Sequence, residues 1–148
     1  MAINEEETRW LFQSLRNINF FQSFNLSNIE TLVKRIEKYD YPKDKVIIKE
    51  GGEGRAFYIL FKGKVQVWKK KGLFGKKMVT ELGPGSFFGE MSLVTDHPCS
   101  ATVIASEPIE LFVLFKDTFQ DQISGNPQLM DELKYIVDKR NFEQKQDN

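Results

Sequence analysis

The residues best placed to do chemistry lie in one stretch, Phe88-Gly89-Glu90-Met91-Ser92-Leu93, followed by Val94 to Pro98 and then Cys99-Ser100-Ala101-Thr102. Gly89 lets the backbone come close to a bound molecule, because it has no Cβ to stand in the way. Glu90 to Leu93 has the length of one helical turn, and the leading amides of such a turn point outward and favour an anion. Ser100 adds a hydroxyl and a backbone N–H. Glu90 sets a single carboxylate, an acceptor when ionised, beside these donors. Anion donors on one side and one acid on the other suit a phosphorylated sugar, with the acid gripping sugar hydroxyls. No comparable grouping supports catalysis. The single His97 and single Cys99 fall into no Ser-His-Asp or Cys-His arrangement, so no catalytic residue and no enzymatic activity are expected. No Cys or acidic cluster joins His97 at ligand spacing, so no metal site is expected, and no cofactor. A thiol beside N–H donors can be acidic and reactive, but the simpler reading of Cys99 is a small buried side chain.

The elements that must position this stretch follow from hydrophobic spacing. Asn4 to Ile18 places Trp10, Leu11, Leu15 and Ile18 on one helical face, with acids leading. Ser27 and Glu30 have the spacing of a capping box, followed by Ile29, Leu32, Val33 and Ile36 at helical intervals. Pro42 ends anything helical. From Tyr39 the pattern turns to short β-prone runs (KVIIKE, AFYILF, KVQVWKK, KMVTEL), separated by GGEG, KG and KGLFGK. GSFFGE, SATVIAS and PIELFVLF supply further strands. Short strands broken by turn signals predict a sandwich or barrel. Helical spacing returns at Lys116, breaks at Pro127 and resumes with Leu129, Leu133, Ile136 and Val137. The expected fold is α+β: an antiparallel β-barrel or jelly roll of about eight strands, with N-terminal helices and C-terminal lid helices. The expected organisation is one domain over 1–148: helical 1–38, barrel 39–115, C-terminal helices 116–141.

The stretch FGEMSLVTDHPCSATV resembles the phosphate-binding cassette of cyclic-nucleotide-binding domains. These include the regulatory subunits of cAMP-dependent kinase, gated cation channels and bacterial catabolite activators. The family form runs close to FGE, two small or aliphatic residues, Leu, a short spacer, Pro-Arg, a small residue and Ala-Thr. Lys49 to Gly54, followed by Phe57-Tyr58-Ile59-Leu60, resembles the family's glycine-rich turn and third strand. Gly63 with Val65 and Val67, Leu82 to Gly85, and Phe20-Phe21 extend the likeness over roughly residues 18 to 140. The resemblance implies a regulatory module that binds cAMP or cGMP and signals by moving a C-terminal lid helix. It implies that Glu90 accepts from the ribose hydroxyl, that Phe88, Gly89, Met91 and Ser92 line the cassette with backbone N–H donors, and that Ser100 and Ala101 meet the phosphate. The helix around Leu133, Tyr135 and Ile136 is expected to close over the base.

One departure weighs against this. The family's phosphate arginine is replaced by Cys99. A charged hydrogen bond is worth about 1.5–3 kcal/mol, and a buried charge left unpaired costs roughly 2–5 kcal/mol. Affinity should therefore drop roughly ten- to several-thousand-fold. Arg55 stands where the family often has an acid near that arginine, so Arg55 is expected either to reach the pocket as a substitute, with Cys99 leaving room, or to be a solvated loop residue. The alternative function is a fold that has lost its nucleotide and acts as a protein-interaction module.

Bulk properties narrow the partners. The 148 residues carry 21 Lys plus Arg and 21 Asp plus Glu, for a formal net charge of zero, which lacks the excess that nonspecific nucleic-acid binding needs. With no residues expected beyond the lid helix for a helix-turn-helix, DNA is not an expected partner. An unidentified protein effector and a homodimer through the lid helix are. One Cys, no signal peptide and no run of membrane-spanning length point to the cytoplasm. Lys69-Lys70-Lys71-Gly72-Leu73-Phe74-Gly75-Lys76-Lys77 is the one basic cluster. The sequence favours a solvated hairpin there, its lysines discouraging edge pairing, over membrane contact by Leu73 and Phe74.

Overall fold

A computed structural model gives the structure; it describes residues 2–146, and the side chains of these except 136, 137 and 140–146. The chain opens with α1 (Glu5–Arg16), a 3-10 turn at Asn19–Phe21 and α2 (Leu26–Val33). Asn4 caps α1 reciprocally. The Glu7 amide donates to Asn4 Oδ1 (2.8 Å) and the Asn4 amide donates to Glu7 Oε1 (3.1 Å). The capping box expected at Ser27 and Glu30 does not form. Asn25 and Asn28 make it instead, with the Asn28 amide donating to Asn25 Oδ1 at 2.8 Å. Phe24 and Ile29, on either side of that start, are both buried in the same core, the placement of a hydrophobic staple, which sets the helix entry ahead of Ser27. Ile36 is buried beyond the end of α2, outside the helix that spacing alone assigned to it.

Eight strands follow: β1 (Glu37–Tyr41), β2 (Val46–Ile48), β3 (Ala56–Lys62), β4 (Val65–Lys71), β5 (Gly75–Leu82), β6 (Phe87–Phe88), β7 (Thr102–Ala105) and β8 (Ile109–Phe115). The barrel thus begins two residues before its expected start, because Glu37 already pairs with Val113. The strands form two four-stranded antiparallel sheets, ordered β1-β8-β3-β6 and β2-β7-β4-β5. First strand pairs with last and second with seventh, the wrapping of a jelly roll.

Alternation along β3 and β8 divides two cores. Ala56, Leu60, Leu111 and Val113 fill the space between the sheets with Val65 and Val103. Phe57, Ile59, Phe112 and Leu114 face the other way, beneath the helices. Both faces of β8 are therefore covered, which is why ELFVLF reads as a continuous apolar run. The helical side is built on aromatics: Phe21 lies 4.9 Å from Phe20, 5.3 Å from Phe24 and 5.5 Å from Phe57 between ring centroids. α3 (Lys116–Ile123) and α4 (Pro127–Gln146) complete this layer. Pro127 occupies the first position of α4, where its missing N–H is no loss. Leu129 and Leu133 of α4 are buried. α4 runs past the expected end at 141 to Gln146, and the side chains of Ile136 and Val137 lie outside those described.

An ion cluster pins α1 to the sheet. Lys38 Nζ on β1 lies 2.6 Å from Glu7 Oε2 and 2.8 Å from Glu110 Oε1, and Lys62 Nζ is 3.5 Å from Glu110. Hydrogen bonds from Lys38 hold both carboxyls below their usual range, aided at Glu7 by the Asn4 amide. The same bonds, that to Glu110 foremost, raise Lys38. A carboxyl depressed in the folded state stabilises fully above its unfolded value of about 4.3 and loses that contribution as pH falls through the lower folded value. Acidification from neutral pH should therefore lower the melting temperature of the wild type more than that of Lys38→Met, which starts less stable. Parallel melting curves against pH would remove the cluster from the account.

Candidate ligand-binding site

Gly89 precedes a 3-10 turn, Glu90–Leu93, and takes φ +82°. A Cβ there would sit 2.7 Å from the Ala56 carbonyl oxygen, so glycine alone lets the turn lie against β3. The first hydrogen bond within the turn runs from the Ser92 amide to the Gly89 carbonyl (3.0 Å). The Ser92 amide expected as a ligand donor is therefore already committed, whereas those of Glu90 and Met91 have no acceptor inside the turn. Met91 O closes the turn, accepting from the Thr95 amide (3.0 Å) and from Thr95 Oγ1 (2.9 Å). Leu93 points the other way and is fully buried in the helical core.

The glycine-rich turn before β3 clamps the far end of the stretch. The Gly51 amide donates to the Cys99 carbonyl (2.8 Å) and the Cys99 amide donates to the Gly52 carbonyl (2.9 Å). The Glu50 amide donates to Thr102 Oγ1 (2.9 Å). At Gly54 an added Cβ would collide with the Ser92 side chain, so glycine is what lets the two loops come this close at that point.

Between these loops and the inner face of the second sheet lies an open cavity of about 400 Å³, a volume typical of small-molecule sites. Eight of the nine predicted site residues line it: Phe88 from β6, Gly89 to Ser92 from the turn, and Cys99, Ser100 and Ala101 from the loop ahead of β7. Sequence reasoning missed Ile48, Val67 and Val103, which supply the sheet side, Phe87 from β6, and Thr95, His97 and Pro98 from the spacer. The period-2 alternation of β2, β4 and β7 carried the signal for the three aliphatic residues, once it was known which face turned inward. Glu90 is the acid among the described lining residues, and among these described residues there is no Lys or Arg.

Arg55 is the ninth, and the structure places it elsewhere. Its side chain is 78% exposed and its guanidinium lies 3.5 Å from Glu53. It borders a smaller adjoining cavity of about 160 Å³ on the outer side of Cys99. A flexible chain beside an acid two residues away meets its partner in water without giving up hydration, and in this structure the guanidinium is turned to solvent rather than into the larger cavity. Burial pushes the Cys99 thiol up, so it stays protonated near neutral pH and lacks the thiolate a reactive cysteine needs. The residues expected to close over the base are also elsewhere. Leu133 is buried in the helical core and Tyr135 is 70% exposed; neither lines the cavity, and the side chain of Ile136 is outside those described. Among the described residues, no group of His, Cys, Asp or Glu is placed to hold a metal ion, and no helix is long and apolar enough to cross a membrane.

Two antiparallel sheets, a helical layer and a pocket beneath a glycine-led turn define a jelly-roll domain with a candidate ligand pocket. The cyclic nucleotide-binding domain model matches residues 38–126, and the chain belongs to that family. It is 31% identical over 120 residues to the cAMP-dependent protein kinase regulatory subunit of Candida albicans, covering 81% of this chain and 25% of that protein. The structure of cAMP-bound PfPKA-R superimposes with a TM-score of 0.75 at 26% identity, covering 81% of this chain and 43% of that one. The regulatory subunit of a cAMP-independent protein kinase A from Trypanosoma brucei, in a triple-substituted form bound to cAMP, superimposes with a TM-score of 0.68 at 25% identity, covering 95% of this chain and 50% of that one. The chain spans 56% or less of the length of the curated relatives it matches.

Proposed function

We propose that this domain is a regulatory switch that holds a cyclic nucleotide, cAMP or cGMP, in the cavity and reports its presence through α3 and α4. The observation that carries the reading is the cavity itself, with Glu90 and the leading amides of the 90–93 turn on one side and Ser100 and Ala101 on the other. Glu90 accepts from ribose hydroxyls, and Ser100 and Ala101 meet the phosphate. The route outward is short. Lys116 Nζ, at the start of α3, donates to Thr95 O (2.9 Å) and to Asp96 Oδ1 (2.7 Å), while Gln120 Nε2 donates to Leu93 O (3.3 Å). A ligand that favours one position of the turn thereby biases α3 and the helix after it, and it acts only through that difference in affinity. The output passes to a protein effector, or to a second copy meeting α4.

A second reading has its own observation. With Cys99 in the arginine position and no Lys or Arg among the described residues that line the cavity, a cyclic phosphate would meet no cation from those residues, and the fold would serve as an interaction module. Calorimetry with cAMP and cGMP separates the readings. The switch predicts measurable heat that falls about tenfold or more in affinity on Glu90→Gln and is unchanged by Arg55→Ala. No heat for either nucleotide would leave the interaction module.

A further inference from the structure

The hairpin of β4 and β5 ends in the most exposed apolar residues described. Leu73 is 92% exposed and Phe74 100%. Every residue of β5 but the last is exposed, so the ribbon stands off the barrel. Behind the tip, Lys69 pairs with Lys77 and Lys70 with Lys76 in register, and Lys71 lies opposite Gly75. Neighbouring pairs face opposite sides of a ribbon, so cations surround the tip on both faces. No acid occurs from Lys69 to Lys77. The nearest described acid contact is Glu50, whose Oε1 accepts from the Lys70 backbone amide (3.0 Å).

Two features are unexplained by a merely solvated hairpin. Like charges directly across a strand pair destabilise it, and here two such pairs adjoin. Among the described residues Lys76 finds relief over the Trp68 ring at 5.3 Å. Lysines on an edge strand do discourage pairing with other strands, but that accounts for neither Leu73 nor Phe74. The turn needs Gly72, at φ +65°, and Gly75, where an added Cβ would sit 2.7 Å from the Lys71 carbonyl oxygen; polar residues would serve between them.

We propose that this hairpin tip inserts Leu73 and Phe74 into the interfacial region of an anionic lipid bilayer, with the five lysines against its headgroups. Apolar tips ringed by cations are what such a surface selects: it removes the rings and aliphatic chains from water and neutralises the opposed lysines. An acidic protein would require a cleft or groove for recognition, and a convex, fully exposed tip supplies none. A second copy pairing along β5 would bring the same lysines together. The inference does not depend on occupancy of the cavity.

The test is co-sedimentation of the full chain with phosphatidylcholine vesicles with and without phosphatidylserine. The expected result is phosphatidylserine-dependent binding that weakens with added salt. It should fall at least about tenfold in Leu73→Ser with Phe74→Ser, and likewise in Lys69→Gln with Lys70→Gln. Melting curves check that the serine variant remains folded, as expected for side chains that touch nothing. A Phe74→Trp variant reads insertion directly, its emission shifting to the blue on phosphatidylserine vesicles. Equal, low sedimentation with both vesicles would overturn the proposal, as would lipid binding that survives loss of both tip residues.

Discussion

Cys99→Arg should raise the affinity for cAMP or cGMP roughly ten- to several-thousand-fold, the largest effect expected of any single change in this chain. Position 99 is prepared for it. Its backbone is fixed by the two hydrogen bonds to Gly51 and Gly52, so a new side chain starts from a held point. The cavity it borders is about 400 Å³ and holds no Lys or Arg among its described lining residues. A guanidinium there supplies two parallel donors to a phosphate, in a site where water is partly excluded and charge-assisted bonds are strong. Cys99→Ser, which changes shape little and adds no charge, should bind as the wild type does. Competition against a fluorescent cyclic nucleotide measures all three proteins. Affinity unchanged by the arginine would mean that position 99 does not face the phosphate, and the assignment of the loop would fall with it.

Leu93→Ala should lower stability by about 2–5 kcal/mol, the range for removing a fully buried leucine. Leu93 is 0% exposed and belongs to the helical core although it closes the 90–93 turn. Its carbonyl also accepts from Gln120 of α3. The substitution therefore opens a void where the ligand loop meets the helices. Leu11→Ala is the control: it is equally buried in the same core but lies on α1. Both variants should melt earlier by comparable amounts in thermal denaturation. Only Leu93→Ala should speed amide hydrogen exchange in α3 beyond what the loss of global stability explains. Equal exchange in α3 for the two variants would show that Leu93 fills space without joining the loop to the helix.

What could be read in advance was local. Gly89, Gly51 to Gly54 and the run from Glu90 to Leu93 mark the loops of the site because they depend on turn chemistry, which acts within a few residues. The strand runs and the helical spacing of Leu11, Leu15, Leu32, Leu129 and Leu133 marked out about eight strands between two helical segments of the chain for the same reason. Even there, competition between neighbours escaped notice: Asn25 and Asn28 outdid Ser27 and Glu30 because Phe24 and Ile29 had a shared core to enter.

The residue types along the chain, then, determined the class of fold and marked the loop that borders the cavity. Tertiary structure alone decided where Arg55 points, that Leu133 packs inward while Tyr135 faces solvent, and that Ile48, Val67 and Val103 wall the pocket. Those outcomes depend on pairings such as β1 with β8 and β2 with β7, made between distant segments. A side chain's local pattern says which residues share its face. Only the partner brought across the sheet says whether that face meets a core, a cavity or water.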